Sequence, residues 1–174
     1  EGWMRVLVFV ATKYSTEHIA DKLRRAGLNA DALHGELSQG GRLDALADFK
    51  AAKTQILVAT DVAARGLDIV SLPVVVNYDL PRSPTDYTHR IGRTGRAGER
   101  GMAVSFVSAE THAHFRLIEK RNQITVPREQ VAGFEPKQLA VPTASGTGGI
   151  KGKRKSKKDR MREAEAKFRR EGAG

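Results

Sequence analysis

Between His89 and Arg96 the chain reads His-Arg-Ile-Gly-Arg-Thr-Gly-Arg. Arg90, Arg93 and Arg96 recur at every third residue, so on a helical turn they would fan out around one end. Guanidinium forks at that spacing suit phosphate oxygens better than scattered carboxylates. Gly92, Gly95 and Gly98 let a large ligand approach the backbone. A helix end making ordinary surface ion pairs has no use for so many glycines. A second concentration of small and polar residues, Asp61-Val62-Ala63-Ala64-Arg65-Gly66-Leu67-Asp68, follows directly on an apolar run. Read alone, Asp68 is a turn-capping aspartate. His112 and His114 have no cysteine or carboxylate cluster around them and read as surface histidines, not metal ligands.

The surrounding elements must position these groups. Arg5 to Val10 is a continuous apolar, β-branched run, the pattern of a strand covered on both faces and hence of a parallel sheet. Ser15 can cap a helix with Ile19, Ala20, Leu23 and Ala26 on one face, and Gly27 is placed to end it. A short strand, Asn29 to Leu33, is followed by Ser38 as a second cap and by a helix whose buried side is marked by Leu43, Leu46, Ala47 and Phe49. Gln55 to Thr60 is a second core strand, and it delivers the Asp61–Asp68 segment to a strand's carboxyl end, where open α/β sheets bind ligands. Val74 to Tyr78 is a third. Ser83, Pro84 and Asp86 give a helix start with a cap, a proline at the first position and an early acid, and that short helix carries the arginine stretch. Gly101 to Val107 reads as another strand, and Glu110 to Asn122 as a helix with Phe115, Leu117 and Ile118 inward. The alternation predicts an α/β fold, a doubly wound, mainly parallel sheet flanked by helices.

The chain has 174 residues, 40% of them apolar, enough for one domain with a tail. It has no cysteine, nothing resembling a signal peptide and no apolar run of membrane-spanning length, which fits a soluble, cytoplasmic protein. Its net charge of +10 is uneven. Residues 151–174 hold eleven lysines and arginines against four acids, net +7, leaving nineteen against sixteen, net +3, for residues 1–150. Residues 1–127 form the expected domain, 128–150 an extension and flexible linker, and 151–174 a disordered basic tail.

Taken together, these motifs resemble the C-terminal RecA-like domain of a DEAD-box RNA helicase, over roughly residues 4–125. Val6 to Lys13, with Phe9 at its core, is similar to motif IV; His34-Gly35 with Gln39 and Arg42 to the Gln-x-x-Arg element; Ala59 to Ile69 to motif V; Val75 to Asp79 to motif Va; and the arginine stretch to motif VI. Ile124 to Pro136 also resembles the bacterial RhlE-like subgroup.

The resemblance implies that Arg93 and Arg96 act as arginine fingers on ATP, that Asp68 contacts its ribose, and that Gly66 borders the nucleotide. It gives His89, Arg90 and Arg65 a role in coupling the nucleotide site to a neighbouring domain. It places Thr12, Gln39, Arg42, Thr60 and Gly66 against RNA, held through phosphates and 2′-hydroxyls and largely independent of sequence. Read alone, Thr60 is a satisfied strand-end hydroxyl and Arg42 a solvated helix arginine. The chain has no Asp-Glu-Ala-Asp sequence and no phosphate loop: Gly146 to Lys153 comes nearest, but its glycine spacing is one too long and Arg154 stands at the hydroxyl position. ATP and its Mg²⁺ would therefore be held largely by an N-terminal RecA-like domain of the same protein, and this fragment alone would be inactive. The alternative is a stand-alone RNA-binding or regulatory module without ATPase activity. A DNA-directed superfamily 2 member fits motifs V and VI less well.

Overall fold

Val6 to Val10, the first apolar run, becomes the middle strand of the sheet. In the computed structural model, which describes residues 5–65, 67, 69, 71–95, 98 and 100–135, all five residues of this strand, β1, are buried. It lies between β3 (Ile56–Thr60) and β4 (Val74–Asn77), with Val8 opposite Val58 on one side and Val76 on the other. β2 (Ala30–Leu33) flanks β3, and β5 (Met102–Ser105) flanks β4. The order is β2-β3-β1-β4-β5 and every pairing is parallel.

Alternation along β1 divides the core in two. Leu7 and Phe9 face Leu57, Ala59 and Val75, covered by Phe49, Ala45 and Leu46 of α2 (Gln39–Lys50). Val6, Val8 and Val10 face Val58, Val74 and Val76, covered by Ala20, Ile19 and Leu23 of α1 (Lys13–Arg25). Phe49 is 1% exposed, and burying a side chain of that kind contributes about 1.5–3 kcal/mol. A third cluster joins Tyr87 of α4 (Pro84–Ile91) to Phe115 and Ile118 of α5 (His112–Asn122), with Ile124 and Val126 packed against it.

Several local expectations change. The cap of α1 is Thr12, whose hydroxyl accepts from the Ser15 N–H at 3.1 Å, so Ser15 sits inside the first turn. Gly27, at φ +82°, does end that helix region in the left-handed conformation. In α2 the cap is Ser38, and Gly40 and Gly41 are helical, but Leu43 is 58% exposed and Ala47 is exposed as well. The buried stripe instead runs through Ala45, Leu46 and Phe49, because the helix is rotated toward the sheet by Phe49. A four-residue helix, α3 (Asp61–Ala64), follows β3, too short for a helical period to be read from the residues.

The chain leaves β1 toward β2 but leaves β4 toward β5 on the opposite side. Those two strands are neighbours, so their carboxyl ends form a switch point, the crevice where α/β sheets bind ligands. Phe9 joins them there, its carbonyl accepting the Tyr78 N–H at 3.0 Å and the Asp79 N–H at 3.2 Å, and Asp79 Oδ2 accepts the Ala11 N–H at 2.7 Å.

Candidate functional site

α4 is built to aim one side chain inward. The Ser83 hydroxyl oxygen accepts from the Asp86 N–H at 3.1 Å and its proton goes to Asp86 Oδ2 at 2.7 Å, with Pro84 opening the helix. That hydroxyl, assisted by Arg65, holds the Asp86 carboxyl below its ordinary value of 3.8 although burial opposes it. Tyr87 then packs edge-on to Phe115, with centroids 5.6 Å apart. Three residues on, and so on the same side of the helix, Arg90 turns into the domain, where it is 3% exposed.

Arg90 Nε and Nη2 each donate to one Asp61 carboxylate oxygen at 2.7 Å, a two-pronged pair. Its Nη1 donates to Asn77 Oδ1 at 3.0 Å and to the Asp79 carbonyl at 2.6 Å, and the guanidinium lies 4.8 Å from the centroid of the Phe9 ring. One side chain thus ties together the ends of β1 and β4 and the start of α3. A buried guanidinium is tolerable only with this degree of satisfaction. Arg90 and Arg93 therefore do not fan out together around one helix end. α4 stops at Ile91, Arg90 points into the core, and Arg93 lies in the turn beyond Gly92.

Arg93 is partly buried, and its Nη1 donates to the carbonyls of Leu67 at 2.9 Å and Ile69 at 3.5 Å. It shares a cavity of about 380 Å³ with Arg65, Asp86, His89, Arg90 and Gly92. His89 is exposed; Arg65, 70% exposed, reaches Asp86 at 3.1 Å. Two arginines and a histidine at the rim of an open cavity can receive an anionic, phosphate-bearing ligand. Gly66, Asp68 and Arg96 lie outside the described residues.

The other expected contact residues gather at the same sheet edge. Val10 pairs with Thr60, so Thr12 and Thr60 emerge side by side from β1 and β3. Both cap helices: Thr60 accepts the Ala63 N–H at 3.4 Å. Gln39 opens α2 and is exposed, and Arg42 Nη2 donates to the Ala63 carbonyl at 3.0 Å, joining α2 to α3. Arg42 is therefore not a freely solvated helix arginine.

Four residues of this site were not singled out as site residues from the sequence: Asp61, Asn77, Asp79 and Gly101. Asn77 left a signal, a polar residue closing an apolar strand, and it is fully buried. Gly101 left none. A Cβ there would stand 1.8 Å from Thr94 Oγ1 and 2.4 Å from the Gly95 nitrogen, so this glycine lets the chain entering β5 press against the turn that follows α4. Thr94 in turn donates to the Leu72 carbonyl.

Among the described residues no group of three or more His, Cys, Asp or Glu side chains could hold a metal ion, and no helix is long and apolar enough to cross a membrane. His114 is not a surface histidine: it is partly buried, with Nε2 2.7 Å from the Pro81 carbonyl.

Residues 2–98 match the helicase conserved C-terminal domain family. The ATP-dependent rRNA helicase RRP3 of Phaeosphaeria nodorum is 51% identical over 129 residues, 74% of this chain and 24% of that protein. The ATP-dependent RNA helicase CshA of Listeria monocytogenes is 46% identical over 114 residues, 66% of this chain and 22% of that protein. The chain spans about a quarter of the length of the curated relatives it matches. Among solved structures, the E. coli DEAD-box protein SrmB, bound to the regulator of ribonuclease activity A, superposes with a TM-score of 0.75 at 38% identity, covering 81% of this chain and 84% of that one. The C-terminal domain of the DEAD-box protein Dbp5 gives 0.65 at 37%, covering 70% and 72%.

Proposed function

This chain belongs to the helicase conserved C-terminal domain family, in the form found in DEAD-box RNA helicases, and on that premise we propose that it is the second half of an ATP-dependent RNA helicase. The observation that carries the reading is the pair of arginines, Arg65 and Arg93, set with the His89 imidazole around the cavity beside Arg90. It is a phosphate-receiving face in a chain whose sequence has no phosphate loop and whose described residues include no metal cluster.

In phosphoryl transfer the protein positions groups and neutralises charge developing on the γ-phosphate. Arg93 would exchange the Leu67 carbonyl for a γ-phosphate oxygen when an N-terminal RecA-like domain closes over ATP, and Arg96 would act beside it. Asp68 would accept from the ribose hydroxyls, with Gly66 at the backbone next to it. Magnesium would be held by carboxylates of the N-terminal domain. Arg90 would couple the two halves indirectly, by setting where Asp61, Asp79 and the turn carrying Arg93 lie; His89 and Arg65 would meet the other domain directly. Thr12, Gln39, Arg42, Thr60 and Gly66 would hold an RNA backbone without reading bases. Residues 1–127 would be the RecA-like domain, with 128–150 a linker and 151–174 a basic tail. The Ile124–Pro136 segment favours the bacterial RhlE-like subgroup, and with it a cytoplasmic setting.

The test is ATP turnover in a protein joining this chain to its N-terminal half. Arg93→Ala should lower RNA-stimulated hydrolysis by about 10³-fold or more with the fold intact, and Arg93→Lys should not rescue it, since a point charge lacks the fork. Residues 1–174 alone should not hydrolyse ATP. Turnover by the isolated chain, or near-normal turnover with lysine, would overturn the reading; no turnover from any joined form would favour a stand-alone RNA-binding module.

A further inference from the structure

Beyond β4 and β5 the chain holds aromatic side chains out of the core. Tyr78 is 46% exposed and Phe106 54%, each the first residue past its strand, and the Phe106 N–H still donates to the Asn77 carbonyl at 3.0 Å. Their rings brace each other edge to face with centroids 5.7 Å apart, so neither is free to collapse inward. With Phe134, which is 83% exposed, they line a groove of about 670 Å³ together with Asp79, Ser108 and Glu110.

The charge of this groove decides its occupant. It contains two carboxylates and no lysine, arginine or histidine, in a chain of net charge +10. No cation pairs with Glu110 among the described residues. Nucleic-acid phosphates are repelled from such a lining, while an ammonium or guanidinium on an apolar stem gains both the aromatic faces and the carboxylates. The volume accommodates a few side chains, not one ion. We propose that this groove docks a cationic peptide segment of a partner protein, with an arginine or lysine seated on the Tyr78–Phe106 pair against Glu110. The groove adjoins the site described above through Asp79, whose carbonyl accepts from Arg90 and whose carboxylate accepts from Ala11. A bound segment therefore lies against the residue whose carbonyl accepts from Arg90 Nη1.

The test is a titration of the ¹⁵N-labelled 1–174 chain with the peptide acetyl-Gly-Arg-Phe-Arg-Gly-amide, its counterpart with glutamate in place of both arginines, and decauridylate, followed by amide shifts. The arginine peptide should move the Tyr78, Phe106 and Ser108–Thr111 amides saturably, and the glutamate peptide should not. Glu110→Gln and Phe106→Ala, both at exposed positions, should each weaken that binding about two- to fivefold while leaving the remaining spectrum unchanged. Absence of shifts at millimolar arginine peptide would overturn the proposal. So would a stronger response of these amides to decauridylate, which would make the groove a nucleic-acid surface.

Discussion

Taking away the Arg90 fork would leave both oxygens of Asp61 without the nitrogens that now stand 2.7 Å from each. Arg90→Ala should therefore destabilise the fold by about 1–3 kcal/mol, because buried Asn77 loses a partner while Asp61, a third exposed, can be hydrated, measured by urea unfolding of the 1–174 chain. Arg93→Ala, at a partly buried position on loop carbonyls, should cost far less by the same measurement. The triplet spacing made both arginines legible as candidates, but not this division of labour. What turns Arg90 inward is an aspartate 29 residues earlier and an asparagine 13 residues earlier, and no local periodicity reports such partners. Gly101 was equally hidden, because its constraint comes from Thr94 and Gly95 folding back upon it. Gly101→Ala should cost about 1–3 kcal/mol in thermal melts, as overpacking does. Gly35→Ala, where an added Cβ meets nothing within 4 Å, should be close to neutral; equal effects would mean that the Gly101 contact is not tight.

The elements themselves were more legible than their edges. Core strands and the Ser83-capped helix follow from runs and caps that act locally, whereas α3 has four residues, too few to show a period. The start of α1 was displaced because Thr12, Ser15 and Thr16 all lie near the turn and only the fold selects Thr12 as cap. At the far end, α5 is strapped to the segment that follows it. Glu119 Oε1 accepts the Val126 N–H at 3.0 Å, and Oε2 meets Arg128 Nη2 at 2.7 Å while that guanidinium covers the Phe115 ring at 4.8 Å. Burial alone would raise the Glu119 carboxyl, but the Val126 N–H and Arg128 outweigh it and hold it below its ordinary 4.5. With the folded value lowered, the strap's stabilisation is fully present above about pH 4.5 and is lost as pH falls through the folded value. Melting temperatures of wild type and Glu119→Gln should thus differ at pH 6 and converge as the pH falls below 4.5 toward the lowered folded value; a constant gap would show that the strap is not held by the ionised carboxylate.

At the scale of the whole molecule, the net charge is spread unevenly along the sequence. The packed clusters described here lie within residues 6–126, whereas net +7 of the charge sits in residues 151–174, outside the described residues. Removing residues 146–174 should weaken RNA binding at low salt and flatten the dependence of log affinity on log salt, as loss of phosphate contacts does. An unchanged slope in a filter-binding series would mean that the tail only aids solubility. The doubly wound α/β class was legible because each core strand is apolar through its length, and a strand with no polar face must be covered twice. The strand order was not, since it depends on which strands meet across distance. That order has a consequence for biosynthesis. β1 is made before the two strands it pairs with, residues 56–60 and 74–77. At about 5–20 residues per second, its Val-Leu-Val-Phe-Val segment waits roughly 3–14 s for its second neighbour, with both hydrogen-bonding edges open to other nascent chains. A strand buried at every position in the fold is thus an aggregation-prone segment on the ribosome, and slower, cooler expression lengthens that window even as it weakens hydrophobic association.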